Sequence, residues 1–298
     1  MNVQTGVSSS QVLRAAGHVV FVEGGNDDAF DPTVIRELLK ANGLRMEVRA
    51  IGTCDNVVEA AKAMVWKHPA YYFVADRDGR DAAYVEHSWA NFPQTNTYNL
   101  LFWRKRELEN YFIEPDYLCR SQSLVKTPDE LRERVLTEAR RRFYLEAANL
   151  VLLKIRSVIL TPPTAWFTQV ETFANRDDAL RQLQNSPELQ QRGEEISALL
   201  TAHERERMLD ETLQMLSGGK LHLEYGAGEW LNLMSGKQIF RSISGQVFRV
   251  LDASGTVLQG REQNNEVAKG LLKEPLGNQP EDFRELVALL QAKAASQP

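Results

Sequence analysis

Three observations predict an α/β fold, a parallel sheet flanked by helices, with a mainly helical C-terminal extension. Short apolar runs alternate with amphipathic helical stretches through the first third of the chain. Those runs are apolar at nearly every position, as strands covered on both faces require. Beyond residue 120 charge-rich helical periodicity takes over.

The elements follow in order. HVVFVEG (18–24) reads as the first strand, and PTVIRELLKANG (32–43) as a helix with proline near its start and glycine just past its end. MEVRAI (46–51) is the second strand, and NVVEAAKAMVWKH (56–68) a helix capped by Thr53 or Asp55. AYYFVADRDG (70–79) is a third apolar run ending in acid, and TYNLLFW (97–103) a fourth strand. In the extension, 127–159 and the region from 177 to 216 are helical, separated by TPPT (161–164). QVFRVLDASGTVLQG (246–260) reads as a hairpin around Ser254-Gly255, and PEDFRELVALLQAK (280–293) as a closing helix before a frayed tail. The expected organisation is an α/β domain over 1–120 and a helical extension over 121–298 that carries the small hairpin and returns Lys237 to the sheet edge.

Composition narrows the function classes. A 298-residue chain with 43% hydrophobic residues has the apolar content for a substantial core. No apolar run approaches the ~20 residues that cross a bilayer, and the start MNVQTGVSSSQ lacks the basic-then-apolar order of a secretion signal. A cytoplasmic protein with no membrane partner is the expectation. Cys54 and Cys119 lack the paired spacing of a zinc site, which makes them reduced, structural cysteines. A formal net charge of -5 argues against coating nucleic acid by charge alone, although an enzyme needs only a local basic groove.

The chemistry lies where the apolar runs end. Parallel strands place their carboxyl ends along one edge, where ligands bind in open α/β sheets. If the first and third strands are neighbours, Glu23 meets Asp76 and Asp78 there, with Asp27 one turn beyond Glu23. Crowded carboxylates either hold protons or recruit a cation, and an all-oxygen set suits Mg²⁺ or Mn²⁺. The D-R-D alternation points Asp76 and Asp78 the same way and Arg77 aside if the strand persists that far. Each feature alone has an ordinary structural explanation: a D-x-D in a turn, Glu23 taking the amides of Gly24 and Gly25, Asp27 and Asp28 favouring a helix start. Two acidic strand ends together point to a metal site.

FVEGGND with VADRD resembles the TOPRIM domain, a Rossmann-like fold. In that family a glutamate after strand one and a D-x-D after strand three bind divalent metal for phosphodiester chemistry. The spacing of Glu23 to Asp27 is similar to the E-x-x-x-D of OLD-type nucleases, and RELENYFIEP (106–115) resembles a segment of their stand-alone relatives. MSGKQIF (234–240) is similar to a late G-K pair in those relatives, here Gly236 and Lys237. Val74 and Ala75 precede the D-x-D, where OLD nucleases carry a serine.

The resemblance implies a Mg²⁺- or Mn²⁺-dependent endonuclease. Glu23, Asp27, Asp76 and Asp78 would serve as metal ligands, Glu23 and Lys237 as catalytic residues, and Glu109 and Asn110 as supporting groups. The chain has no G-x-x-x-x-G-K-[ST] loop, so LSGGK (216–220) reads as a glycine pair ending a helix and not as an ATPase signature. OLD nucleases carry an ATPase on the same chain. Without one, the pattern looks like the effector of PARIS-type bacterial phage-defence systems. That likeness implies a separate ABC-type ATPase subunit as restraining partner and a toxic homodimer when released. Its substrate would be nucleic acid, RNA favoured over DNA and transfer RNA in particular.

Asn110 also fits a structural corner, since Tyr111 and Phe112 look like core anchors. Arg104, Lys105 and Arg106 are the basic cluster placed to touch a phosphate backbone; Arg140, Arg141 and Arg142 cover different helix faces and suit pairing with acids. A haloacid-dehalogenase-type phosphatase and a glycosyltransferase also use D-x-D, but Arg80 follows D-x-D-G where the phosphatases carry Thr or Val. A non-catalytic partner-binding module with a regulatory metal site is the remaining rival.

Overall fold

The computed structural model of the chain describes residues 17–64, 67, 68, 70–94, 98–160, 172 and 174–295. The chain divides into two compact units, one built from residues up to 141 and from 229 onward, the other from 142 to 228. A boundary at 120 is therefore not where the chain divides, because the segments after 229 rejoin the sheet-bearing unit.

The first unit holds a four-stranded parallel sheet in the order β2-β1-β3-β4, with β1 Val19–Val22, β2 Glu47–Ala50, β3 Tyr71–Ala75 and β4 Leu100–Phe102. Between them run α1 (Phe30–Ala41), α2 (Cys54–Met64) and α3 (Ala82–Asn91). Every residue of β1, β3 and β4 is buried, whereas β2 at the sheet edge exposes Glu47 and Arg49. Only β2 therefore departs from full burial on both faces. The helix α3 has no counterpart in the sequence reading. Asp81 starts it by accepting the Tyr84 amide (2.7 Å), and only Val85 and Trp89, four apart, are buried, which leaves a faint apolar stripe.

Beyond β4 the chain forms a 3-10 helix over Leu108–Ile113 and a short α4 (Pro115–Leu118), then enters the long α5 (Pro128–Leu160). In the second unit the charged region resolves into α6 (Arg176–Gln184), α7 (Pro187–Leu199) and α8 (Ala202–Ser217). Its core gathers Val151, Ile155 and Met208, with Leu199 and Leu209 against them. Gly218 ends α8 in a left-handed conformation, as the glycine pair of LSGGK predicts. TPPT lies outside the described residues.

Back in the first unit, α9 (Trp230–Leu233), α10 (Gly236–Val247), α11 (Gly260–Leu271) and α12 (Glu281–Ala295) complete the chain. The expected hairpin is reduced to a single antiparallel bridge, Leu251 to Val257, around a turn that Asp252 closes by accepting the Ser254 and Thr256 amides. α10 packs on the 3-10 helix and on α11, and α11 on α1. Phe112, fully buried, is the hub: its ring meets Phe30, Tyr117, Phe240 and Phe283, one from each of four segments. Tyr111 is likewise buried, its hydroxyl donating to Asp282. Phe112→Ala is expected to destabilise the protein by about 3–5 kcal/mol, as truncating a core aromatic does. Urea unfolding measures it, and a loss under 1 kcal/mol would remove Phe112 from that role.

Candidate active site at the carboxyl edge of the sheet

Glu23 stands one residue past β1 and Asp76 one past β3. These strands pair in parallel, Val19 to Tyr71 through Phe21 to Phe73, so both carboxylates leave the sheet side by side. The Asp76 amide donates to Glu23 Oε1 at 2.8 Å, and Asp76 Oδ1 in turn accepts the Leu108 amide at 3.0 Å. Gly24 (φ 142°) bends the chain away immediately afterwards and exchanges two backbone hydrogen bonds with Gly52 (2.7 and 2.9 Å). A Cβ on Gly24 would stand 3.0 Å from that of Ala29, so glycine is needed both for the φ and for the space.

These groups open onto a cavity of about 550 Å³. Glu23, Asp31, Asp76 and Glu109 give it acid; Lys237, Arg241 and Arg261 give it base; Gln238 and Asn264 add amides. Asp31 is a residue that sequence reasoning missed. It lies in the first turn of α1, which begins two residues earlier than the periodicity suggests, and this turn brings Asp31 to the cavity. Acid in the first turn of a helix reads as ordinary capping, so no sequence signal separates it from Asp27 and Asp28.

Burial pushes the carboxyls of Asp31 and Asp76 well above the ordinary range, and each is raised further by the other members of the cluster. Glu109, buried in the 3-10 helix, is pushed up to about 7 by burial, against the pull of Lys237. Burial also raises Glu23, aided by the charge of Asp78 and opposed by the Asp76 amide, Cys54 and Lys237. Lys237 is held more firmly charged, by Glu109 first and by Asp31, Glu107 and Asp76 after it. A lysine in the first turn of α10 opposes the helix dipole, and the carboxylates facing it offset that cost.

The late segment reaches the site through one joint. Asn110 Nδ2 donates to the carbonyls of Leu231 and Met234, each at 2.8 Å, while its Oδ1 accepts the amides of Glu107 (3.0 Å) and Gly236 (3.3 Å). The Glu107 carboxylate accepts the Ser235 hydroxyl and the Lys237 amide (2.9 Å). Ser235 also accepts the Gln238 amide and so starts α10. A Cβ on Gly236 would fall 2.4 Å from the Asn110 backbone nitrogen, so the two segments approach as closely as a glycine permits.

The predicted site residues thus separate. Glu23, Asp76, Glu109 and Lys237 share the cavity. Asp27 is outside its lining: its Oδ1 accepts the Ala50 amide (2.8 Å) and ties the loop to the end of β2. Asp78 is outside it too. β3 ends at Ala75, so the alternation that would align Asp78 with Asp76 stops, and Asp78 adopts φ 49° with its amide on the Arg106 carbonyl. Its charge still reaches Glu23. Arg77 turns aside to the Arg80 and Arg104 carbonyls. Asn110 is the structural corner and not a group that orients a ligand.

The basic cluster is committed elsewhere, which removes the expected phosphate contact. Arg104 pairs with Glu86, Asp282 and Glu285, Lys105 with Glu114, and Arg106 donates to the Leu233 carbonyl. Of the second arginine run, Arg141 pairs with Glu138 and Arg142 with Glu146. Both cysteines are free, and burial raises the Cys54 thiol.

Among the described residues, no three His, Cys, Asp or Glu side chains already stand in a metal-ligating group. The donor set nevertheless fits a hard divalent cation, because four carboxyls share one cavity and burial raises every one of them. No helix among the described residues is long and apolar enough to cross a membrane. Compared with protein-family models and with curated proteins, the chain matches none.

Two outcomes follow from this geometry. The Glu109 carboxyl, raised in the folded state, contributes stability that is complete below its ordinary value near 4.5 and is lost as pH rises through about 7. In a chelator the melting temperature should therefore fall between pH 5 and pH 8, less steeply in Glu109→Gln; a melting temperature that rises across this window contradicts the cluster. Gly236→Ala should cost about 1–3 kcal/mol by overpacking the joint, read from denaturant unfolding, with wild-type stability arguing against close approach.

Proposed function

We propose that this chain is a divalent-metal-dependent nuclease of the TOPRIM type, acting on phosphodiester bonds and on RNA in preference to DNA. The observation that carries this reading is one cavity, at the carboxyl edge of a parallel sheet, in which carboxyls of Glu23, Asp31, Asp76 and Glu109 face the ammonium of Lys237. The sheet order and the two acidic strand ends are consistent with it.

Glu23, Asp31 and Asp76 would hold Mg²⁺ or Mn²⁺. When bound, the ion supplies charge neutralisation at the phosphate and lowers the pKa of water. Lys237 meets the substrate phosphate as a fixed positive charge, kept ionised by the carboxylates around it. The Glu109 carboxyl, titrating near 7, is suited to exchange a proton at neutral pH. Asp27 and Asp78 act from outside the cavity, Asp27 by fixing the loop that follows Glu23 and Asp78 through its charge on Glu23. A role in anti-phage defence, as a toxic homodimer in the cytoplasm released from a separate ABC-type ATPase and cutting transfer RNA, rests on the resemblance of FVEGGND, VADRD, RELENYFIEP and MSGKQIF alone.

The test is incubation of the purified chain with total RNA and with plasmid DNA, with and without Mg²⁺. Glu23→Ala and Asp76→Asn are expected to abolish cleavage while retaining the wild-type fold by circular dichroism, and Lys237→Ala to slow it by about 10²–10³-fold. Unaltered cleavage in Glu23→Ala, or metal-independent cleavage by the wild type, overturns the reading.

A further inference from the structure

We propose that Arg241 and Arg261 hold a second backbone phosphate beside the one facing Lys237. The site would then take a polynucleotide strand with consecutive phosphates, and not a mononucleotide or phosphomonoester. This inference rests on the nuclease reading of the same cavity and names the substrate feature that it selects.

Lys237 and Arg241 are four residues apart on α10, so they share a face and stand about 6 Å apart along the helix axis. That spacing is comparable to the separation of successive phosphates along an extended strand. Arg261 and Asn264, three apart on α11, line the same cavity from the neighbouring helix. Gln259, the residue that starts α11, gives no side-chain cap to the first amides, so the positive end of the helix adds to the charge of Arg261.

Position distinguishes these cations: Arg45, Arg249 and Arg284 also carry no ion pair among the described residues, but Arg241 and Arg261 line the cavity and those three do not. Arg104, Arg132, Arg141 and Arg207 all pair with carboxylates of the chain. Arg241 and Arg261 carry no ion pair and donate no side-chain hydrogen bond among the described residues, although both line a cavity rich in acid. Arg241 and Arg261 line the cavity together with Lys237, and a guanidinium meets a phosphate through two parallel donors, which suits them to a phosphate next to the one that Lys237 faces.

The experiment is fluorescence anisotropy of a labelled single-stranded RNA 12-mer on the full chain in Ca²⁺, titrated with salt. Arg241→Gln and Arg261→Gln are compared with Arg284→Gln, an exposed arginine away from the cavity, all three checked for wild-type melting. Each cavity variant is expected to bind about tenfold more weakly and to lower the salt slope by about 0.7, the loss of one single-strand phosphate contact. Arg284→Gln should bind as wild type does. A 12-mer with uncharged methylphosphonate linkages should erase the difference between wild type and the cavity variants, and a mononucleotide should compete poorly. Cleavage by wild type together with unaltered binding and slope in both variants overturns this inference and leaves the nuclease reading standing. Arginine-dependent binding without cleavage of any nucleic acid supports the strand site and counts against the nuclease reading.

Discussion

The site depends on the joint between Asn110 and the segment from Leu231 to Lys237. One buried amide side chain satisfies two carbonyls and accepts two amides, and the adjoining Glu107 carboxylate accepts the hydroxyl and amide that begin α10. Buried polar groups with every partner made are rigid, because losing any one leaves another unsatisfied at full desolvation cost. Gly236 completes the joint by having no side chain where Asn110 sits. Through it, a helix more than a hundred residues later in the chain is fixed against the strand ends, with Lys237 and Arg241 on its inward face.

Electrostatics explains why such a joint is needed. Four carboxyls around one cavity repel one another, and burial strengthens that repulsion. Left alone, they would favour protonation or a looser arrangement. The basic wall opposes this from across the cavity, and a cation bound among the carboxyls would oppose it from within. Local preference is overridden on both sides: Lys237 sits at the wrong end of a helix dipole, and Glu109 lies in a 3-10 turn with almost no water. Conflicts of this kind concentrate at functional sites, where packing elsewhere compensates them. Here the compensation is the aromatic cluster around Phe112, which holds α1, α10 and α12 together around the 3-10 helix.

Packing also separates the basic residues that brace the sheet from those that line the cavity. Arg104 stacks on Trp89 and reaches three carboxylates, so it braces α3 and α12 against the sheet. Arg80 lies over Phe102 and donates to the Asp76 carbonyl, holding the turn that carries Asp76. Arg80 follows β3 and Arg104 follows β4 within a few residues, and neither lines the cavity. Arg241 and Arg261 sit far from those ends in sequence and do line it. Proximity along the chain was the wrong guide to which cations line the cavity.

By itself the sequence determined the strands and the place of their acidic ends. Short apolar runs alternating with helices read as buried parallel strands, whose carboxyl ends share one edge, and the pairing of β1 with β3 then brings Glu23 and Asp76 together there. The glycine pair that ends α8 was legible as well, in Gly218, whereas the Ser235 cap that begins α10 was not read as a helix start. Tertiary structure decided the membership of the site. β3 stops one residue before Asp76, which breaks the alternation and takes Asp78 out of the cavity; α1 starts early, which brings Asp31 in. α10 and α11 supply the basic wall, and the 3-10 turn converts Asn110 from a candidate ligand-orienting group into the corner that anchors them. The physical reason is range: periodicity and capping act over a few residues, whereas the direction a carboxylate faces is set by where a strand frays and by which distant helix packs across it.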